Sequence, residues 1–172
     1  MRVYTIGHSN QPLDSFLAAL RAHAVEIVVD VRRFPTSRRH PHFSGAKLQP
    51  ALGAAGIGYA HAPDLGGHRE PLAESPNTAL REDAFRGYAD YMETTAFAAA
   101  VETVLAEASA RHVAVMCAER DWRDCHRGLM ADYLKVRGHD VVHILSATTH
   151  EPHPYTRSAR IVGGELSYRG LL

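Results

Sequence analysis

The sequence is poor in the residues that would classify it at a glance. Two cysteines in 172 residues are too few for a disulfide scaffold. No C-x-x-C or H-E-x-x-H spacing occurs, so the strongest metal signatures are missing. Lys plus Arg and Asp plus Glu both count 19, so no global field of one sign draws the chain to nucleic acid or a membrane surface. No apolar run approaches the roughly 18 residues of a membrane helix. The start, residues 1–9, lacks a basic segment followed by an apolar core, so no signal peptide and no membrane partner are expected. Repeats and low-complexity segments are absent as well. A cytoplasmic protein with reduced thiols is the expectation.

What remains is ordinary for one globular domain: 45% hydrophobic and 22% charged residues. Apolar, β-branched runs predict strands over residues 2–6, 26–31, 57–61, 113–116 and 140–145. Helical spacing predicts helices over 12–23, over 44–55 with Pro50 in the middle, over 85–105 as two helices or one bent helix, and from about Cys125 to 136 with Gly138 as C-terminal cap. Residues 69–79 form a polar, Pro-containing loop able to cover a site. Residues 159–168 suggest a small hairpin turning at Gly163 and Gly164. Strands alternating with helices imply an α/β fold: a single three-layer domain over residues 1–172, with a mainly parallel sheet of about five strands and helices on both faces. Its core covers 2–146, and a C-terminal extension covers 147–172.

If the strands run parallel, their C-terminal ends share one edge, where open α/β sheets bind ligands. The residues there are His8 and Ser9; Asp30, Arg32, Arg33 and Ser37; Gly66 and Gly67; and Cys117, Glu119 and Arg120. Both cysteines flank the loop between the fourth strand and the last helix. Cys125 opens that helix beside His126 and Arg127, where unpaired amides and the helix dipole stabilise an anion and lower a thiol pKa. Cys117 ends the strand and opens a C-x5-R spacing to Arg123, the spacing by which a phosphatase-like or rhodanese-like loop turns its amides around an oxyanion. A cysteine closing an apolar strand is read equally well as a small core residue.

The elements T-I-G-H-S, V-D-V-R-R-F-P-T-S, Y-A-H, D-L-G-G, G-Y-A-D-Y-M and M-C-A-E-R-D-W-R-D-C-H-R run from Tyr4 toward Leu145. In that order they resemble the bacterial and archaeal family known as domain of unknown function 488. The resemblance implies a compact α/β domain with a C-A-E then C-H-R signature and no assigned activity. A fainter similarity of layout links the chain to rhodanese domains.

Three readings of function follow. In the first, Cys117 or Cys125 attacks an anionic small molecule or nucleotide bearing phosphorus or sulfur, as a Cys-dependent hydrolase or a sulfurtransferase-like enzyme. Glu119, Asp30, His8 or His126 moves protons, and Ser9, Arg32, Arg33, Ser37, Gly66, Gly67, Arg120 and Arg127 bind the anion. In the second, the basic stretch from Arg32 to His42, interleaved with Phe34 and Phe43, binds nucleic acid. In the third, Cys117, Cys125 and His126 ligate a metal, although no metal and no cofactor is called for by any motif.

Overall fold

The computed structural model describes residues 1–170. Five parallel strands form the body of one sheet: β1 (Arg2–Gly7), β2 (Ile27–Asp30), β3 (Gly58–His61), β4 (Val113–Cys117) and β5 (Asp140–Ile144). The antiparallel strand β6 (His150–Pro152) completes it, in the order β3-β2-β4-β1-β5-β6. A separate hairpin, β7 (Arg160–Val162) and β8 (Glu165–Ser167), turns at Gly163 and Gly164, both in the left-handed region, as the glycine pair predicts. This short antiparallel strand adds to the five expected. Three residues ending in Pro152 carry no alternating pattern, and the strand exists because its backbone pairs with Val142 to Ile144.

The helices are α1 (Leu13–Ala22), α2 (Gly45–Ala54), α3 (Asp83–Met92), α4 (Thr95–Ala110) and α5 (Arg127–Val136). The break between α3 and α4 falls at Thr94, whose side chain caps Phe97 N–H, so the long apolar stretch is two helices. Pro50 sits inside α2 without ending it.

Strand alternation sorts the core into two layers. Val28, Ala114 and Met116 face α1 and α2, packing with Phe16, Leu20, Leu48 and Leu52. Ile27, Val29, Val113, Val115 and Cys117 point to the other face, against α3, α4 and α5. Cys117 thus continues the face that α5 covers.

The same sorting shapes the C-terminal edge. Chains leaving β1 and β2 turn toward α1 and α2, whereas those leaving β3 and β4 turn toward the opposite layer. In the order β2-β4-β1, the β4 loop therefore leaves between two that go the other way. Crevices open on both sides of it, as at the switch points of other open α/β sheets. Gly7 ends β1 against this loop, where a Cβ would lie 1.7 Å from the Glu119 carbonyl oxygen. Only glycine allows that approach.

The C-terminal extension is fastened by Asp132 of α5. This buried carboxylate accepts from His153 Nε2 (2.7 Å), Thr156 N (2.8 Å) and Tyr168 Oη (2.6 Å). His153 bonds His143, on which the Trp122 ring stacks at 4.7 Å. Trp122 is therefore a core residue, and its Nε1 donates to Glu151.

Candidate functional site

The β4 loop runs from Ala118 through a 3-10 turn, Trp122–Asp124, to Cys125. Asp121 starts the turn by accepting from Arg123 N–H, and α5 begins two residues after Cys125. The expected helix start at Cys125 is thus displaced by the turn.

Arg127 organises the loop from beneath. Its side chain is 1% exposed. Nη1 donates to Cys117 Sγ (2.6 Å) and to the Glu119 carbonyl (2.6 Å), and Nη2 donates to the Arg120 carbonyl (2.9 Å). The loop therefore turns carbonyls inward around a cation. A phosphatase-like loop needs the reverse, amides turned inward around an anion. Arg123, the arginine of the C-x5-R spacing, pairs with Asp121 (3.2 Å) and Glu151 (3.5 Å) and lies over Trp122.

Three of the amides near the start of α5 are also engaged. Cys125 N–H donates to Trp122 O, Arg127 N–H to Cys125 Sγ (3.4 Å), and Gly128 N–H to Cys125 O. Arg127 is accordingly corrected from a substrate contact to part of the loop's internal frame, whereas Arg120 gives its carbonyl to that frame and keeps its side chain exposed.

The two sulfurs lie 2.7 Å apart, both as free cysteines. A guanidinium this deeply buried requires compensating charge. Among the described residues Arg127 pairs with no carboxylate, and Cys117 is the ionisable group it touches. Burial on its own pushes the Cys117 thiol up, but the hydrogen bond from Cys125 and the Arg127 charge overcome that and hold it below its ordinary value. Cys125 moves the opposite way, pushed well up by burial and then by the neighbouring Cys117 thiolate. The lowered pKa expected at the helix start thus falls on the strand cysteine. The pair is thus asymmetric: the arrangement favours ionisation of Cys117, whose sulfur accepts from Arg127, over ionisation of Cys125.

A cleft of about 470 Å³ opens over this pair, lined by Arg32, Arg33, Gly67, Cys117, Glu119, Cys125 and His126 among others. Seven of the fourteen sequence-derived site residues therefore meet in one hollow. Glu119 is exposed, and its carboxylate lies within 4.8 Å of both sulfurs. His126 brings Nδ1 to 3.7 Å from Cys125 Sγ and leaves Nε2 without a partner among the described residues. Burial and the Arg127 charge lower its pKa to about 4, so the imidazole is neutral near pH 7. Gly67 admits that ring, since a Cβ there would lie 3.0 Å from His126 Nδ1. Gly66 does not line the cleft, and instead lets the β3 loop approach Arg33.

Arg32 is presented by a second buried assembly. Asp30, fully buried, accepts Arg32 Nε (2.9 Å), Nη2 (2.7 Å) and backbone N–H, and also Tyr59 Oη (2.6 Å). Asp30 thus positions Arg32 and has no free oxygen for proton transfer at the sulfurs. His8 Nε2 accepts from Arg32 Nη1 (3.2 Å), and its Nδ1 donates to Ser9 O (2.8 Å). Burial lowers its pKa to about 4, so it is a neutral strut with both nitrogens engaged. Ser9, held at φ 56°, and Ser37 line a shallower hollow with Arg38, Arg39 and His40, across the Ala118 and Glu119 wall from the cleft. Ser9 and Arg120 also border a third depression between the ends of β1 and β5.

The basic stretch does not form one continuous face. Arg32 is internal, Phe43 is fully buried against His8 at 4.5 Å, and His42 Nε2 bonds Gln11 O. Of its basic and aromatic residues, only Arg33, Phe34, Arg38 and Arg39 stand exposed. The sulfurs of Cys117 and Cys125 and the carboxylate of Glu119 are close enough together to share a cation, with Glu119 where the sequence suggested His126. Arg127 occupies a lone pair of Cys117 and opposes a second positive charge there. No helix among the described residues is long and apolar enough to cross a membrane.

Sequence reasoning missed Tyr88, whose ring packs against His126 at 4.8 Å and whose hydroxyl donates to Leu65 O. It is fully buried and does not line the cleft but supports His126 from behind, and no signal in its spacing marks that contact. No curated protein and no solved structure matches the chain significantly. A family match covers residues 12–134, well over half the chain and including the whole of the β4 loop, Cys125 and Arg127. The protein belongs to the family described as domain of unknown function DUF488.

Proposed function

We propose that the protein is a thiol-dependent enzyme in which Cys117 attacks an electrophilic atom of a small anionic substrate held in the cleft. One observation carries this reading: the Cys117 sulfur accepts from a buried guanidinium at 2.6 Å and lies 2.7 Å from a second thiol sulfur beneath an open cleft. A thiolate is the nucleophilic form of cysteine, and a buried cation is what maintains it near neutral pH. Arg32, locked on Asp30, and exposed Arg33 supply positive charge for the substrate. Glu119 is the free carboxylate near the sulfurs and serves as proton acceptor or donor, while neutral His126 flanks Cys125.

The test is alkylation of the native protein with iodoacetamide across pH, with the modified residue identified by peptide mass. Cys117 should react first, with a midpoint below the ordinary thiol value of about 8.5. Reaction of both thiols only above that value, or of Cys125 ahead of Cys117, contradicts the reading.

A further inference from the structure

We propose that Cys125 is the resolving thiol for Cys117, so that the substrate class is an anionic disulfide and the reaction is thiol–disulfide exchange. This rests on Cys117 being the nucleophile. The second thiol stands 2.7 Å from the first and lines the same cleft, where a bond between them can form without either leaving its element. Phosphoryl transfer, the competing chemistry, needs donors arrayed around the transferring oxygens. Here the loop turns the carbonyls of Glu119 and Arg120 inward, and the amides of Cys125, Arg127 and Gly128 are engaged. Exchange at sulfur needs only a thiolate, a cation beside it and a second thiol, and the site holds all three.

The Cys117 thiolate attacks one sulfur of R–S–S–R′, the substrate S–S bond breaks, and R′–S⁻ leaves from a Cys117–S–S–R mixed disulfide. Cys117 has then lost its negative charge, and with it one cause of the reluctance of Cys125 to ionise. Glu119 takes the Cys125 proton and passes it to solvent. The Cys125 thiolate attacks the Cys117 sulfur and R–S⁻ departs, leaving a Cys117–Cys125 disulfide. The chain loses two electrons, the substrate gains them as two thiolates, and one proton is released. A low-molecular-weight thiol regenerates the pair by the reverse exchange.

The probe is 5,5′-dithiobis(2-nitrobenzoate), a dianionic aromatic disulfide, used at one equivalent with the folded full-length chain. The wild type should release two coloured thiolates per chain and finish without an aryl adduct, two hydrogens lighter. Cys125→Ser should release one and retain the adduct on Cys117, while Cys117→Ser should react slowly. The neutral 2-hydroxyethyl disulfide should react about tenfold more slowly or worse at low salt, a gap that narrows as salt rises. A wild-type adduct that persists on Cys117 while Cys125 stays alkylatable overturns the resolving role and leaves the nucleophile standing. Equal rates for the neutral and anionic probes overturn the substrate class. Failure of Cys117 to react before unfolding overturns both this proposal and the one it rests on.

Discussion

Replacing Arg127 by Met removes the charge while roughly preserving the length of the side chain. In the wild type the guanidinium makes three bonds, to Cys117 Sγ and to the carbonyls of Glu119 and Arg120. Bonds to a charged group contribute about 1.5–3 kcal/mol each. Against them stands the desolvation of a guanidinium that is 1% exposed, which costs several kcal/mol. The net loss expected is therefore about 3–5 kcal/mol, the range found when one partner of a buried pair is removed. Without the cation Cys117 takes up a proton, so its pKa rises and its alkylation near pH 7 slows. Urea unfolding and iodoacetamide kinetics measure the two effects separately. Arg127→Lys keeps the charge but cannot reproduce the fork, so it should recover much of the thiol reactivity and less of the stability. A loss under about 1 kcal/mol for the Met variant, with unchanged Cys117 alkylation, would refute the claim that the two residues form an ion pair.

Four other outcomes follow from the geometry. Gly7→Ala should destabilise by about 3 kcal/mol or more in urea unfolding, because the clash is with a backbone carbonyl that cannot rotate away, whereas Gly53→Ala in α2, with open space around it, should be neutral or up to about 1 kcal/mol stabilising. Asp30→Asn leaves Arg32 buried without its anion, so unfolding free energy should drop by about 3–5 kcal/mol. His8 is neutral in the fold with a pKa near 4 and about 6.5 when unfolded, so the unfolded chain binds the extra proton between those values. Stability present above pH 6.5 is lost as pH falls toward 4, by about 3 kcal/mol from His8, and His8→Asn should flatten the decline in unfolding midpoint. Zinc added to purified protein should bind weakly by calorimetry, and Arg127→Met should tighten it by freeing the Cys117 lone pair; tight binding to the wild type contradicts the Arg127 assignment.

The parallel sheet was legible because β2 and β4 are nearly unbroken apolar runs buried on both faces, and because glycines mark the ends of α5 and the β7–β8 turn. The antiparallel β6 was not, since its pairing depends on β5 and leaves no local pattern. Residue types at strand ends pointed to this edge, where Cys117, Cys125, Glu119 and His126 line one cleft. They could not separate residues facing the cleft from residues supporting it. Asp30, His8 and Arg127 look like acid, base and anion contact in sequence. Their roles reverse because each finds a buried partner that spacing does not reveal: Arg32 for Asp30 and His8, and the Cys117 sulfur for Arg127. The direction of the β4 loop was equally hidden. A C-x5-R spacing is silent on whether amides or carbonyls face inward, and here Arg127, outside that spacing, draws the carbonyls.

The most direct test titrates the ultraviolet absorbance of thiolate in the folded protein and subtracts the curve of Cys117→Ser. A difference signal is expected already near pH 7, falling away on acidification from a midpoint below about 8.5. A difference curve that emerges only above that value would mean that the Cys117 sulfur is protonated beside Arg127, and the nucleophile would be lost with it.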